Sequence, residues 1–252
     1  MKRAVIYTGV FSAAFLASAL YHLPAKVLVN QLPLPTGVTL DNVQGSVWQG
    51  SAQDVSFQRW NFGEVSWVFQ WTSLLTLSPE YAVKFGRNSA LGLIGKGHVG
   101  ASFSSVYARS VIASISAQQA LDLAPMALPV SVGGQLELVI RNWSSDGSWC
   151  QSGDGSISWN SGYIESPLGS LTAGSTVADV QCENSVVRAQ GSQKSSHVSS
   201  EFQGELKPNR QYTSNAWFKP GSDFPESMNS QLKWLGSPDT QGRYTFNYQG
   251  RL

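Results

Sequence analysis

Charge is scarce in this 252-residue chain. Asp, Glu, Lys and Arg make up 13% of it, against about 25% in an average soluble domain. With 17 Lys plus Arg against 16 Asp plus Glu, the chain has no basic field to hold phosphate backbones, and nucleic acid drops out as a partner. Long runs of Glu, Lys and Ala, the usual filling of exposed helices, are missing too. The three histidines, His22, His98 and His197, fit no compact metal signature, so neither a metal nor a cofactor is expected. No Gly-x-Ser-x-Gly elbow supplies a nucleophile. The segment from Gly92 to Gly97 misses the phosphate-loop pattern and reads as a turn. Glu201 and Glu205, about 13 Å apart along an extended strand, are too widely spaced for a glycosidase pair. The chain is read as a non-enzyme.

Cysteine occurs twice, at Cys150 and Cys182. Its pairing depends on compartment, which the N-terminus addresses. Between Arg3 and Lys26 no residue carries a formal charge. The stretch 4–23 is long enough, as a helix of roughly 30 Å, for one bilayer span. Lys2 and Arg3 then stay cytoplasmic and the body is exported to the periplasm. A cleaved signal peptide with Ala17-Ser18-Ala19 as its processing site is the competing reading. Both export the same body, where the two cysteines are expected to form a disulfide, with two free buried thiols as the alternative.

What is plentiful is glycine, with 24 residues, and aromatics, with 9 Trp, 8 Tyr and 11 Phe. They fall in period-2 patterns. Val65, Trp67, Phe69 and Trp71 share one pleat parity after an expected turn at Asn61 to Gly63; Tyr81, Val83 and Phe85 follow, then Val99, Ala101 and Phe103. In the segment 106–121, Val111, Ile112 and Ile115 fit a helical face capped by Ser110, while Val111, Ala113 and Ile115 equally fit a strand; the strand is the preferred reading, with a short helix near 116–121. After Pro125 and Pro129 a second series begins with Val130, Val132, Leu136, Leu138 and Ile140 and closes on Tyr244, Phe246 and Tyr248 opposite Thr245, Asn247 and Gln249. Ser144 to Gly147 and Ser152 to Gly155 read as tight turns. The expected fold is mostly β: an N-terminal membrane helix, then an elongated, curved, mainly antiparallel sheet with a degenerate duplication. Its divisions are 1–24 for the stub and helix, 25–128 for a first periplasmic β region and 129–252 for a second, continuous with the first or separate from it.

The basic, once-spanning start, the stretch from Pro33 to Ala52, the Trp-rich strand and the Gly/Ser-rich β series resemble the type II secretion system protein N family. The similarity covers nearly the whole chain. Leu40, Gly45, Val47, Trp48, Gly50 and Ala52 are its marker positions. The resemblance implies an accessory structural subunit of the bacterial inner membrane, with its N-terminus cytoplasmic. It would contact other inner-membrane or periplasmic type II secretion subunits during export of folded proteins, and the bilayer through its helix. A second class stays open on the aromatic and aliphatic parity alone: an envelope lipid-binding or lipid-handling protein with an apolar β groove.

Overall fold

The computed structural model describes residues 2–31, 36–58, 60–123, 129–146 and 149–251, with side chains for all of these except 2–5, 8 and 30. Pro33, Pro35, Pro125, Gly147 and Leu252, which figure in the sequence expectations, lie outside the described residues. Two helices open the chain, α1 (Lys2–Tyr21) and α2 (Ala25–Gln31). Strands β1 (Val38–Gly45), β2 (Gln49–Phe57), β3 (Trp60–Phe69), β4 (Glu80–Arg87), β5 (Ile94–Ala101) and β6 (Val106–Ser116) precede helix α3 (Ala117–Asp122). Strands β7 (Ser131–Ser145), β8 (Cys150–Ser166), β9 (Gly169–Glu183), β10 (Val186–Lys194), β11 (Val198–Leu206), β12 (Gln211–Pro220) and β13 (Tyr244–Arg251) complete it. All thirteen form one sheet in strict sequence order, each antiparallel to the next.

The structure does not by itself support the expected membrane span. Helix α1 occupies 2–21, yet among the described residues no helix is long and apolar enough to cross a membrane.

Three turn assignments also change. Asn61 and Gly63 lie inside β3, and the hairpin closes between Phe57 and Trp60. Gly63 sits at a positive φ of 74° beside a break in the β2–β3 register, a bulge where a turn was expected. Ser152 to Gly155 lie inside β8, and the phosphate-loop lookalike becomes β5 from Ile94 onward. Trp71 leaves the strand: β3 ends at Phe69, and the chain coils into a 3₁₀ segment, Trp71–Thr76. The segment after Val106 does become a strand and then a helix, capped by the Ser116 hydroxyl, which accepts from the Gln119 N–H.

Register turns the parity pattern into two faces. Direct cross-strand partners point the same way. Following them through the sheet gives one unbroken row: Val43, Ala52, Val65, Phe85, Gly95, Ala113, Leu138, Ile157, Ala178, Gly191, Phe202, Ala216 and Phe246, one residue from every strand. No polar side chain interrupts it over roughly 58 Å of sheet width, taking about 4.8 Å per strand. The adjacent row on the other face runs Gln44, Ser51, Ser66, Lys84, Lys96, Ile112, Val139, Ser156, Asp179, Gln190, Gln203, Asn215 and Asn247. It is polar except at Ile112 and Val139.

A sheet this wide with so little helix leaves much surface in solvent. The chain exposes 16450 Å², whereas a compact monomer of its 27.2 kDa mass would expose about 10,900 Å². The apolar face is stabilised largely by its own side chains. Aromatic rings lie over glycines that are their direct cross-strand partners: Trp67 over Gly50, Phe85 over Gly95, Trp143 over Gly153, Phe202 over Gly191 and Tyr212 over Gly250. Each glycine gives a ring room to lie flat on the neighbouring strand and cover its backbone. This pairing gives part of the glycine and part of the aromatic content a shared role.

Candidate functional site

The marker residues build the corner where α1 meets the sheet. Gly45 and Gly50 close the β1–β2 hairpin as direct partners. Gly45 has φ of 84°, and a Cβ there would fall 2.7 Å from the Gly50 Cα. A side chain is excluded both by conformation and by space. Gly50 carries the Trp67 ring, whose indole N–H donates to the Ser46 carbonyl at 3.2 Å. Ala52 is buried and starts the apolar row on β2, while Leu40 pairs with Val55 on β1.

Val47 and Trp48 hold the helix end. The Val47 N–H donates to the Leu23 carbonyl at 3.0 Å, and the Trp48 indole N–H donates to the Leu20 carbonyl at 2.9 Å. The Leu20 carbonyl also accepts from the Leu23 N–H at 3.3 Å, and the Val47 and Trp48 bonds tie the end of α1 and the residues just beyond it to the β1–β2 turn. Ser46 also bridges to Pro24. The Trp48 ring lies 5.0 Å from Phe69 and 4.8 Å from Trp71, and Phe69 lies 5.1 Å from Tyr81. Although Trp71 is outside β3, its ring thus rejoins the cluster that its parity suggested.

Tyr81 also forms one wall of a trough of about 520 Å³ on the apolar face. Trp143 on β7 forms the opposite wall, and Val99, Ala101, Val106 and Ala108 of β5 and β6 lie between them. The register Phe69, Tyr81, Val99, Ala108, Trp143 places this trough at the same end of the strands as the α1 corner. Its volume is in the range of small-molecule pockets, and aromatic and aliphatic side chains line most of it.

Two features of this end differ in how visible they were. The Sγ atoms of Cys150 and Cys182 are bonded, with Cα atoms 6.4 Å apart, and both residues are buried where β8 and β9 pair. On the polar face, the buried Glu80 carboxylate receives Arg109 Nε at 2.6 Å and lies 3.0 Å from His98 Nδ1. Sequence reasoning missed this cluster, because Glu80 and Arg109 are joined only by the β4–β5–β6 register. A hydrogen bond to Glu80 is the main influence holding the Arg109 guanidinium above its ordinary range. Burial, then the Glu80 charge, pushes the Tyr107 phenol up. The Tyr107 O–H donates to the Ser78 carbonyl at 3.2 Å. The cluster pins the start of β4 to β5 and β6.

The family described as "Type II secretion system (T2SS), protein N" matches residues 36–247. The protein of Vibrio cholerae serotype O1 named type II secretion system protein N is 42% identical over 252 residues, covering all of both chains. Those of Aeromonas hydrophila, 34% identical over 255 residues and all of both chains, and Pectobacterium carotovorum, 28% identical over 251 residues and 98% and 97% of the two chains, carry the same name. No solved structure matches.

Proposed function

Because the chain belongs to the type II secretion system protein N family, we propose that it is an accessory, non-catalytic component of the type II secretion machinery, held at the inner membrane by α1 with its sheet on the periplasmic side. The full-length likeness to proteins of that name carries the reading. Helix α1 supports its membrane part: Val10, Phe11, Phe15, Leu16 and Leu20 are all more than half exposed, and a helix apolar over much of its surface belongs in an apolar medium. Lys2 and Arg3 set its orientation. Residues 25–128 and 129–252 serve as two halves of one scaffold, since β6 and β7 pair across their boundary.

The polar face is the surface offered to other secretion subunits. Ser66 and Asn247 lie in its central row, and Gln135 pairs with Ser116 on the same side of β7 as Glu137 and Val139. Photocrosslinkers placed at Ser66, Gln135 and Asn247 in the native envelope are expected to capture type II secretion subunits. If all three capture none, the scaffold assignment fails.

The trough favours a second reading, an acyl chain held on the apolar face. The register shifts around Ser110 on β6, and between Ile140 and Asn142 and between Ser144 and Ser145 on β7, mark bulges in the strands that flank the trough and would bend them around such a chain. Native mass spectrometry of gently extracted protein should then show stoichiometric lipid. Consistently lipid-free protein removes this reading and leaves the first intact.

A further inference from the structure

The loops at the α1 end of the sheet differ sharply along its width. From Gln70 to Pro79 the chain reads QWTSLLTLSP, and from Ala101 to Val106 it reads ASFSSV, without one charge in either segment. Leu75 is 88% exposed, Leu77 67% and Phe103 93%. Farther across the same end, the β11–β12 turn carries Lys207 and Arg210. The apolar character is therefore confined to the corner nearest α1.

These side chains are displayed on a fixed framework. The Ala101 N–H donates to the Pro79 carbonyl at 3.0 Å, tying the two loops together. The Ser102 N–H donates to the Ser105 carbonyl at 2.7 Å, which closes a tight turn with Phe103 at its tip. The Ser73 hydroxyl accepts from the buried Glu80 N–H and fixes the base of the 3₁₀ segment. Trp71, which opens that segment, contacts the Trp48 ring that binds the end of α1. A structured rim of exposed Leu and Phe beside the emerging helix has the composition of a surface that enters the boundary between lipid headgroups and acyl chains.

We propose that this rim, Leu74, Leu75, Leu77 and Phe103, is a second membrane contact, seated in the phospholipid leaflet from which α1 emerges. The inference rests on the membrane reading of α1. It fixes the sheet against the bilayer at its β3–β6 corner, so that the mouth of the trough meets the acyl region and the charged β11–β12 end stays in water. Another exposed apolar pair, Trp234 and Leu235, lies at the opposite ends of the strands beside Lys233 and cannot reach the same leaflet.

The test uses the full-length protein in phosphatidylethanolamine–phosphatidylglycerol vesicles. Its native cysteines are both disulfide-bonded, so a single introduced thiol at Leu75, Phe103, Phe15, Gln203 or Leu235 takes an environment-sensitive fluorophore selectively under non-reducing conditions. Labels at Leu75 and Phe103 should show blue-shifted emission and quenching by lipid-borne spin labels at shallow depth; Gln203 and Leu235 should show neither. Quenching at Phe15 without quenching at Leu75 and Phe103 overturns the rim and leaves the helical anchor standing. Loss of quenching at Phe15 removes the anchor itself, whatever the rim labels show. In the Leu75→Glu, Phe103→Glu double variant, with the disulfide mapped to show that the sheet has formed, a label at Leu77 should lose its quenching. Unchanged quenching there also overturns the rim.

Discussion

Placing a methyl group on Gly153 tests how the open sheet is held together. A Cβ there would lie 2.7 Å from Trp143 Cδ2, with other ring carbons close by and no backbone atom among its nearest neighbours. The obstruction is the ring alone. Gly153→Ala should gain about 0.4–1 kcal/mol by restricting the unfolded chain. It should lose about 1–3 kcal/mol by forcing the indole off its partner. The net expectation is destabilisation of about 1–2 kcal/mol in urea unfolding, with the disulfide kept intact. Trp143→Leu removes the obstruction, so Gly153→Ala in that background should become neutral or stabilising. The coupling between the two positions is the quantity to measure. If Gly153→Ala costs the same with and without the indole, rings lying on glycines are not what stabilises this face.

Replacing Cys150 and Cys182 together by Ser should lower stability by roughly 3 to 4 kcal/mol for a closed loop of this length, measured by thermal unfolding beside non-reducing peptide mapping. Free thiols at both positions in periplasmic material would reject the bond. Trp48→Phe keeps a ring in the aromatic cluster but removes the donor to Leu20, and should cost about 1 kcal/mol; hydrogen exchange should quicken in the last turn of α1, while a rate that stays unchanged would reject this tie. Asp239 accepts from the Arg243 N–H, and this bond chiefly holds its carboxyl below the usual range. Its folded-state pKa is depressed, so the contribution to stability is present above the unfolded carboxylate value of about 3.9 and disappears as pH falls through the lower folded value. An NMR titration of Asp239 with an ordinary midpoint would contradict that sign.

Alternation made much of the sheet legible. Val65, Trp67 and Phe69 on β3, and Tyr244, Phe246 and Tyr248 on β13, fall on the face their parity predicts, because side-chain direction along a strand is a local property. The same signal carried Trp71 too far. Nothing in the string EVSWVFQW marks where hydrogen bonding to β4 stops and the 3₁₀ segment begins. Composition misled at Asn61 to Gly63 and Ser152 to Gly155, where turn-forming residues lie inside strands. In the first, Gly63 supplies a bulge; in the second, Gly153 lies beneath Trp143. Which ring covers which glycine depends on register between strands, and a single sequence does not state it. In the sequence Trp48 stands only as a marker of family likeness. The bond to Leu20 spans 28 positions and has no local signature. Glu80 with Arg109 was invisible for the same reason.

The unbroken order from β1 to β13 governs how this protein can assemble. Every strand docks on the one made just before it, across a tight turn in several hairpins and across longer connections from β6 to β7 and from β12 to β13, so no closure has to reach past an intervening strand. A chain threading N-terminus first from a ribosome or a translocation channel can zip up behind its leading end, with no distant segment to await. The growing margin always presents the newest strand's unpaired amides to the next arrival, and its sticky edge is covered again as soon as the following strand is made.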